Sequence, residues 1–211
     1  MSCKIKIYSK LGGVVETAPE EINCFFKGLK VVSNSNESNL LILHEGTQFY
    51  SCIFNINDGS KVEIGKSRYG IYNLTIHSNG GVVKIGQDFS CWGVNLRVQE
   101  KGSLIEIGND CMFSSDILIY ASDIHAILDL GTGKVINRNR PIVIDNHVWV
   151  GRNVNILKGV YLPENTVVGM GSVVTRGFKY GNISVGGNPA RILKTNVNWK
   201  RQHVDSFEEW E

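Results

Sequence analysis

Five histidines and five cysteines are the side chains of this 211-residue chain best suited to acid–base or nucleophilic chemistry near neutral pH. The cysteines (Cys3, Cys24, Cys52, Cys91 and Cys111) are odd in number and form no C-x-x-C pair, which reads as buried thiols in place of disulfides or a zinc knuckle. Among the histidines, His125 has the most informative setting. It follows Ser122-Asp123-Ile124 and stands at the root of a sixteen-residue stretch, Ala126 to Pro141, in which an otherwise regular pattern is interrupted. Long excursions from a regular scaffold tend to carry function. An imidazole, titrating near ~6.5 in the absence of perturbation, can take a proton from a weak nucleophile at neutral pH. Asp123 either orients that imidazole or turns the chain. His147 reads as an outward surface residue, and His44, His77 and His203 lie in no motif. His77 and His125 lack a third partner at a ligand-like spacing, so no metal site is expected.

The elements that must position these residues are repeats. From Ile144 an aliphatic residue returns every sixth place, at Ile144, Val150, Ile156, Leu162, Val168 and Val174. Four places after each of the first five stands a small or β-branched residue: Val148, Val154, Val160, Thr166 and Ser172. A helix of period 3.6 would scatter these positions, and a plain strand of period 2 would not reset every six. A second repeat lies upstream, in Gly59-Ser-Lys-Val-Glu-Ile-Gly65, Gly80-Gly-Val-Val-Lys-Ile-Gly86 and Gly102-Ser-Leu-Ile-Glu-Ile-Gly108, spaced by 21 and then 22 residues. Ile107, Phe113 and Ile119 join the two regions at the same step. A parallel β-solenoid of triangular section accounts for both, with aliphatic side chains stacked inside and glycine easing the corners. Cys111 falls on an inward phase and reads as packing. Trp149 faces outward, where a small residue would suffice.

The repeats, together with Ser122-Asp-Ile-His125, Asn146-His-Val-Trp149-Val-Gly151, Val168-Gly-Met-Gly-Ser-Val-Val-Thr-Arg176 and Gly187-Asn-Pro-Ala-Arg191, resemble the hexapeptide-repeat acyltransferases over about residues 54–195. The Ser122–His125 form is most similar to the capsular and polysialic acid O-acetyltransferases, beside the galactoside, maltose and xenobiotic group. The resemblance implies an all-β, left-handed parallel β-helix with an extruded loop at about 126–141 and short terminal caps. It also implies an acetyl-CoA-dependent O-acetyltransferase acting on a sugar hydroxyl of a bacterial-type surface polysaccharide. His125 would be the general base and Trp149 would line the thioester or acceptor pocket. Arg152, Met170 (through its backbone), Thr175, Arg176, Arg191 and Lys194 would hold the donor, and Asn95 and Asp123 would serve the acceptor side. Backbone amides near Gly151 and Arg152 would receive the oxyanion. Relatives of this kind form homotrimers with sites between subunits. The alternatives are an N-acetyltransferase for an amino sugar, for which 45–50 leading residues are short of a nucleotide-sugar domain, and a scaffold without activity.

Division of the chain follows from where the repeats run: a capping segment over 1–50, the helix domain over 51–195 and a tail over 196–211. The tail, with Trp199, Phe207 and Trp210 among charges, is expected to form a short amphipathic cap or helix. Twenty-two basic against 20 acidic residues give a formal net charge of +2, too weak a field to indicate nucleic acid as a partner. No window holds the ~18 uninterrupted apolar residues of a membrane span, and the start lacks the apolar run of a secretory signal, so a cytoplasmic location is expected.

Overall fold

Strict inward–outward alternation, reset at each corner, turns this sequence into short parallel strands. In Leu74–Asn79, for example, Leu74, Ile76 and Ser78 point inward, and Thr75, His77 and Asn79 outward. The computed structural model describes residues 3–34 and 37–207. Its strands form three sheets, of eight, eight and seven strands, and the chain visits each in turn. The first face includes Leu40–His44, Lys61–Ile64, Val82–Ile85, Leu104–Ile107, Ile142–Ile144 and Tyr161–Leu162. The second includes Gln48–Tyr50, Gly70–Tyr72, Ser90–Cys91, Met112–Phe113, Trp149–Val150 and Val167–Val168. The third includes Cys52–Asn57, Leu74–Asn79, Val94–Val98, Ile117–Tyr120, Asn155–Leu157 and Val173–Val174. Pairing within each face is parallel, and among the described residues antiparallel strands occur only at Val14–Thr17 and Ala190–Thr195, at opposite ends of the stack.

Register places like on like. Ile76 sits between Phe54 and Leu96, and Leu96 beneath Ile119, which lies beneath Ile156. All eleven positions of the six-residue repeat, from Ile144 to Val174 and from Val148 to Ser172, are buried. The hydroxyls among them are satisfied locally, Thr166 donating to Pro163 O and Ser172 to Gly169 O, each at 2.6 Å. Phe89 and Phe113 meet edge to face inside the tube, 5.1 Å between ring centres. Glycine turns only some corners. Nine of the twelve described non-glycine residues with positive φ are Asn or Asp, which tolerate that conformation through local side-chain hydrogen bonding.

Residues 4–50, expected to cap the open end, supply strands of the same three faces. Lys4–Tyr8 pairs in parallel with Leu40–His44, Leu29–Val32 with Cys52–Asn57, and Gln48–Tyr50 with Gly70–Tyr72. Their weaker sequence signal has a plain cause: a hairpin and a short helix, Ile22–Phe25, are inserted between the first two strands and break the period. Four cysteines are buried as expected, but Cys24, on that helix, is exposed. Burial pushes the Cys111 thiol up to about 12, which fits a packing role. No helix among the described residues is long and apolar enough to cross a membrane.

The tail differs from expectation. It has one short 3-10 turn, Val204–Ser206, and otherwise runs as a strap across the second face; Trp210 lies outside the described residues. Trp199 is buried, stacks on His147 at 4.2 Å and donates its indole N–H to His147 O at 2.8 Å. His147 is therefore a half-buried anchor and not an outward surface residue, its two ring nitrogens facing Asp110 at 2.7 Å and Trp199 O at 3.1 Å. Arg201 donates to Asp110, Ser90, Asp88 O and Cys111 O at 2.8–3.1 Å, spanning successive coils. Burial raises the Asp110 carboxyl, but hydrogen bonds from Arg201 and His147 outweigh it and hold the group below the usual carboxylate range. A depressed carboxyl contributes stability that is complete above the ordinary value of about 3.9 and is lost as pH falls through the folded-state value. The apparent Tm should therefore fall more steeply below about pH 4 in the wild type than in Asp110→Asn. At neutral pH, Arg201→Ala should lower Tm by about 4–8 °C, the effect of losing one or two charged hydrogen bonds in a domain of this size. Calorimetry across the pH range checks both.

Candidate functional site

His125 lies just past the corner where the third face gives way to the first. Strand Ile117–Tyr120 ends there, and the chain leaves the coil as a small hairpin closed by an antiparallel bridge between Leu128 and Val135. Gly131-Thr132-Gly133 makes its turn, with Thr132 bonded through N and Oγ1 to the Asp129 carboxylate at 2.8 Å. The root is tightly fixed. Ile124 has φ of 63°, and His125 N donates to Asp123 O at 2.6 Å, closing a γ-turn. A β-branched residue in this region is strained, and such strain clusters at functional sites. Asn137, on the returning limb, donates to both the Asp123 carboxylate and His125 O at 2.8 Å and accepts from Ile127 N at 2.7 Å. Lys158, from the next coil and mostly buried, reaches the Asp123 carboxylate at 2.5 Å and Asn137 O at 2.6 Å.

This network decides the part of Asp123. Its carboxylate is taken by Lys158 and Asn137, which hold it below the usual range, so it fixes the loop root and makes no hydrogen bond to the imidazole. The His125 ring is exposed and has no hydrogen-bond partner among the described residues. It borders a small cavity shared with Glu100, Ile124 and Arg138. Glu100 accepts from Ser122 Oγ at 2.6 Å, and Ser122 in turn accepts from Ile124 N at 3.0 Å, bracing the turn from below.

Trp149 sits elsewhere. It is on the second face, 38% exposed, in a groove of about 460 Å³ with Tyr69, Trp92, Met112, Ser114 and Arg201. One residue later the chain turns onto the third face at Gly151-Arg152-Asn153. Crossing that face from Asp116 to Ser122 takes six residues, roughly 20 Å of strand. Within one chain, His125 and Trp149 thus stand at opposite edges of the third face. Asn95 lies on that face between them, half-exposed, in register with Thr75 and Leu118 and accepting from Arg97 Nε at 3.2 Å.

The six residues read as donor contacts occupy the last coils but fall into three places. Arg152 and Met170 share the corner between the second and third faces, where Gly171 N donates to Arg152 O at 2.9 Å and Met170 is 75% exposed. Arg152 is paired with Asp116 at 2.8 Å. Thr175 and Arg176 follow Val173–Val174 at the same corner line as Lys158 and the His125 root, and both are exposed. Arg191 and Lys194 lie on the closing strand Ala190–Thr195, opposite Gly186 and Ser184. Of the amides expected for an oxyanion, Gly151 N–H is committed to Val168 O at 2.8 Å, leaving the Arg152 amide of that pair.

Lys158, Asn137, Trp92 and Arg201 are not singled out by the sequence, and Trp199 stands out there only as a tail aromatic. Trp92 had a detectable signal, because Tyr50, Tyr72 and Trp92 recur at 22 and 20 residues, the length of one coil. Lys158 had none, since its partner Asp123 lies one coil away, and Asn137 had none, since a hairpin limb without periodicity does not show which residue of the root it faces.

No protein-family model matches the chain. A polysialic acid O-acetyltransferase of Neisseria meningitidis is 45% identical over 111 residues, 53% of this chain and 51% of that protein. One of Escherichia coli O1:K1 / APEC is 35% identical over 126 residues, 60% of this chain and 40% of that protein. The chain thus spans about half the length, or less, of these curated relatives. The crystal structure of a polySia-specific acetyltransferase superposes with a TM-score of 0.75 at 33% identity, covering 85% of this chain and 76% of that one. The chain belongs to the hexapeptide-repeat acetyltransferases.

A member of that family with its loop root so constrained offers a direct test of the strain at Ile124. Ile124→Gly relieves the left-handed conformation and loses little packing, because Ile124 is half-exposed. Tm should stay within a few degrees of wild type, and any acetyl transfer that uses His125 should slow by about tenfold as its backbone gains freedom. Paired calorimetry and initial-rate measurement checks this.

Proposed function

We propose that this protein is an acetyl-CoA-dependent O-acetyltransferase acting on a hydroxyl of a glycan, with a polymer of sialic acid as the first acceptor to test. The reading rests on the named activity of relatives 33–45% identical to the chain, combined with an unpartnered imidazole carried by a hydrogen-bonded backbone at the root of an extruded loop. In the reaction, the acceptor hydroxyl oxygen attacks the thioester carbonyl carbon while its proton passes to the His125 ring. The tetrahedral intermediate collapses, the C–S bond breaks, and the imidazolium returns the proton to the departing thiolate. No protein nucleophile is needed, in keeping with a raised, buried Cys111. Arg152, Met170, Thr175, Arg176, Arg191 and Lys194 serve the donor, the cations among them as phosphate partners.

The separation of His125 from Trp149 argues for a site completed by a second copy. In a homotrimer packed through its flat faces, the loop of one protomer reaches the second face of its neighbour, and each site takes its base from one copy and its groove from the other.

His125→Ala should reduce kcat by about 10²–10⁴ with acetyl-CoA binding intact. Wild-type kcat should rise with pH along its acid limb, since only the neutral imidazole accepts a proton, and that limb should vanish in the variant. His203→Ala, on an exposed side chain, is the control; His147 is unsuitable because it anchors the tail. Mixing and reassociating inactive His125→Ala and Trp149→Ala chains should restore part of the activity, because hybrid trimers contain a site with both residues. A His125→Ala protein of near wild-type rate overturns the base, and a mixture without recovery overturns the shared site.

A further inference from the structure

An aromatic ladder runs along the second face, outside the arrangement of base and donor contacts. Tyr50 and Tyr72 stack with ring centres 4.3 Å apart and planes 8° apart, and Tyr72 and Trp92 follow at 4.6 Å and 6°. All three hold the same register position, Tyr50 opposite Tyr72 and Trp92 one residue past Cys91, which pairs with Ile71. In the next four coils that position, one past Phe113, Val150, Val168 and Val185, is Ser114, Gly151, Gly169 and Gly186. The strands continue, but the rings stop. Gly151 cannot carry one, because a Cβ there would stand 2.8 Å from Met170 N. Trp92 therefore has one indole face on Tyr72 and the other toward a vacant rung, and it is 66% exposed.

The vacant rung opens into the groove that Trp149 lines. Its floor is apolar and flat, and polar groups stand at its edge: the Trp92 indole N–H and the hydroxyls of Tyr72 and Ser114 have no partner among the described residues. A flat apolar platform fringed by free donors and acceptors suits a pyranose, which has an apolar C–H face and equatorial hydroxyls. A nucleotide base would also stack, but its clustered phosphates need several cations at one place, whereas a sugar acid's single carboxylate can stay in solvent while the ring stacks. Among the described residues Arg201 is the one cation lining this groove, and its guanidinium is occupied by Asp110, Ser90, Asp88 O and Cys111 O. Arg191 and Lys194 stand five strand spacings up the same sheet, about 24 Å away.

We infer that the open face of Trp92 is an acceptor subsite, on which one sugar ring of the glycan stacks as the fourth rung of the Tyr50–Tyr72–Trp92 ladder. This rests on the glycan O-acetylation proposed above. Bound there, the sugar lies below Trp149 and away from the donor's phosphate end, and the ring on the platform sets which residue of the polymer faces the acetyl group.

The test uses the full chain, acetyl-CoA and a short sialic acid oligomer. Trp92→Ala should raise the KM for the oligomer about tenfold, as expected for truncating an aromatic anchor, with the KM for acetyl-CoA and Tm unchanged. Trp92→Phe, which keeps a ring on Tyr72, should recover most of the loss. The oligomer should quench tryptophan fluorescence in the wild type and in His125→Ala, but not in Trp92→Ala. The His125→Ala arm separates the two readings: quenching without turnover supports both, and quenching with full turnover sinks the base but leaves the subsite standing. An unchanged oligomer KM in Trp92→Ala overturns the inference, as does a wild type that neither binds nor acetylates the oligomer. A rise in the acetyl-CoA KM would assign the platform to the nucleotide instead, and a lowered Tm with both KM values unchanged would make the ladder packing alone.

Discussion

Everything in this molecule depends on the vertical stacking of identical inward positions. A parallel coil has no local hairpin to hold it, so each short strand is stable only because its neighbours above and below satisfy its backbone and share its buried side chains. Ile76 matters through Phe54 and Leu96, and those through the next coils in turn. The outward positions are then free to vary in chemistry but not in place. A residue on one coil edge is delivered within one strand spacing of its counterparts, which is how Lys158 reaches Asp123 and how Tyr50, Tyr72 and Trp92 come to stack.

That same constraint divides what the sequence revealed from what it concealed. The six-residue phase from Ile144 to Val174 is a direct image of the tube's interior, so the solenoid was legible without coordinates. The extruded loop was legible because it interrupts that image. Residues 4–50 were not, since an inserted hairpin and helix hide strands that nonetheless stack in register. Among site residues, position could be read but partnership could not. Asp123 could be read either as orienting the His125 imidazole or as turning the chain, and its carboxylate turns to Lys158 and Asn137, thirty-five and fourteen residues away. His147 was misread because its partner, Trp199, is fifty-two residues downstream in a strap with no periodicity.

The loop root shows how a repetitive scaffold acquires a singular point. Ser122, Ile124 and Asp123 are not held by the ladder; they are held by side chains, from Glu100 below, Lys158 above and Asn137 across. The left-handed Ile124 is tolerated because these contacts over-determine it. Rigidity at His125 therefore comes from polar bonds at the corner, whereas rigidity at Trp149 and Trp92 comes from the sheet itself.

The two antiparallel strands give the stack a direction-dependent stop. A parallel ladder has no natural last member, and an uncovered terminal coil would accept another copy's first coil as readily as its own. At one end Val14–Thr17 and at the other Ala190–Thr195 run against the grain, so a newcomer meets backbone of reversed polarity on one of the three faces and cannot extend the coil. End-to-end filament growth is disfavoured, and association is directed to the flanks of the prism. For a prism with three flat flanks, that turns a safeguard against polymerisation into a limit on where a second copy could meet the first.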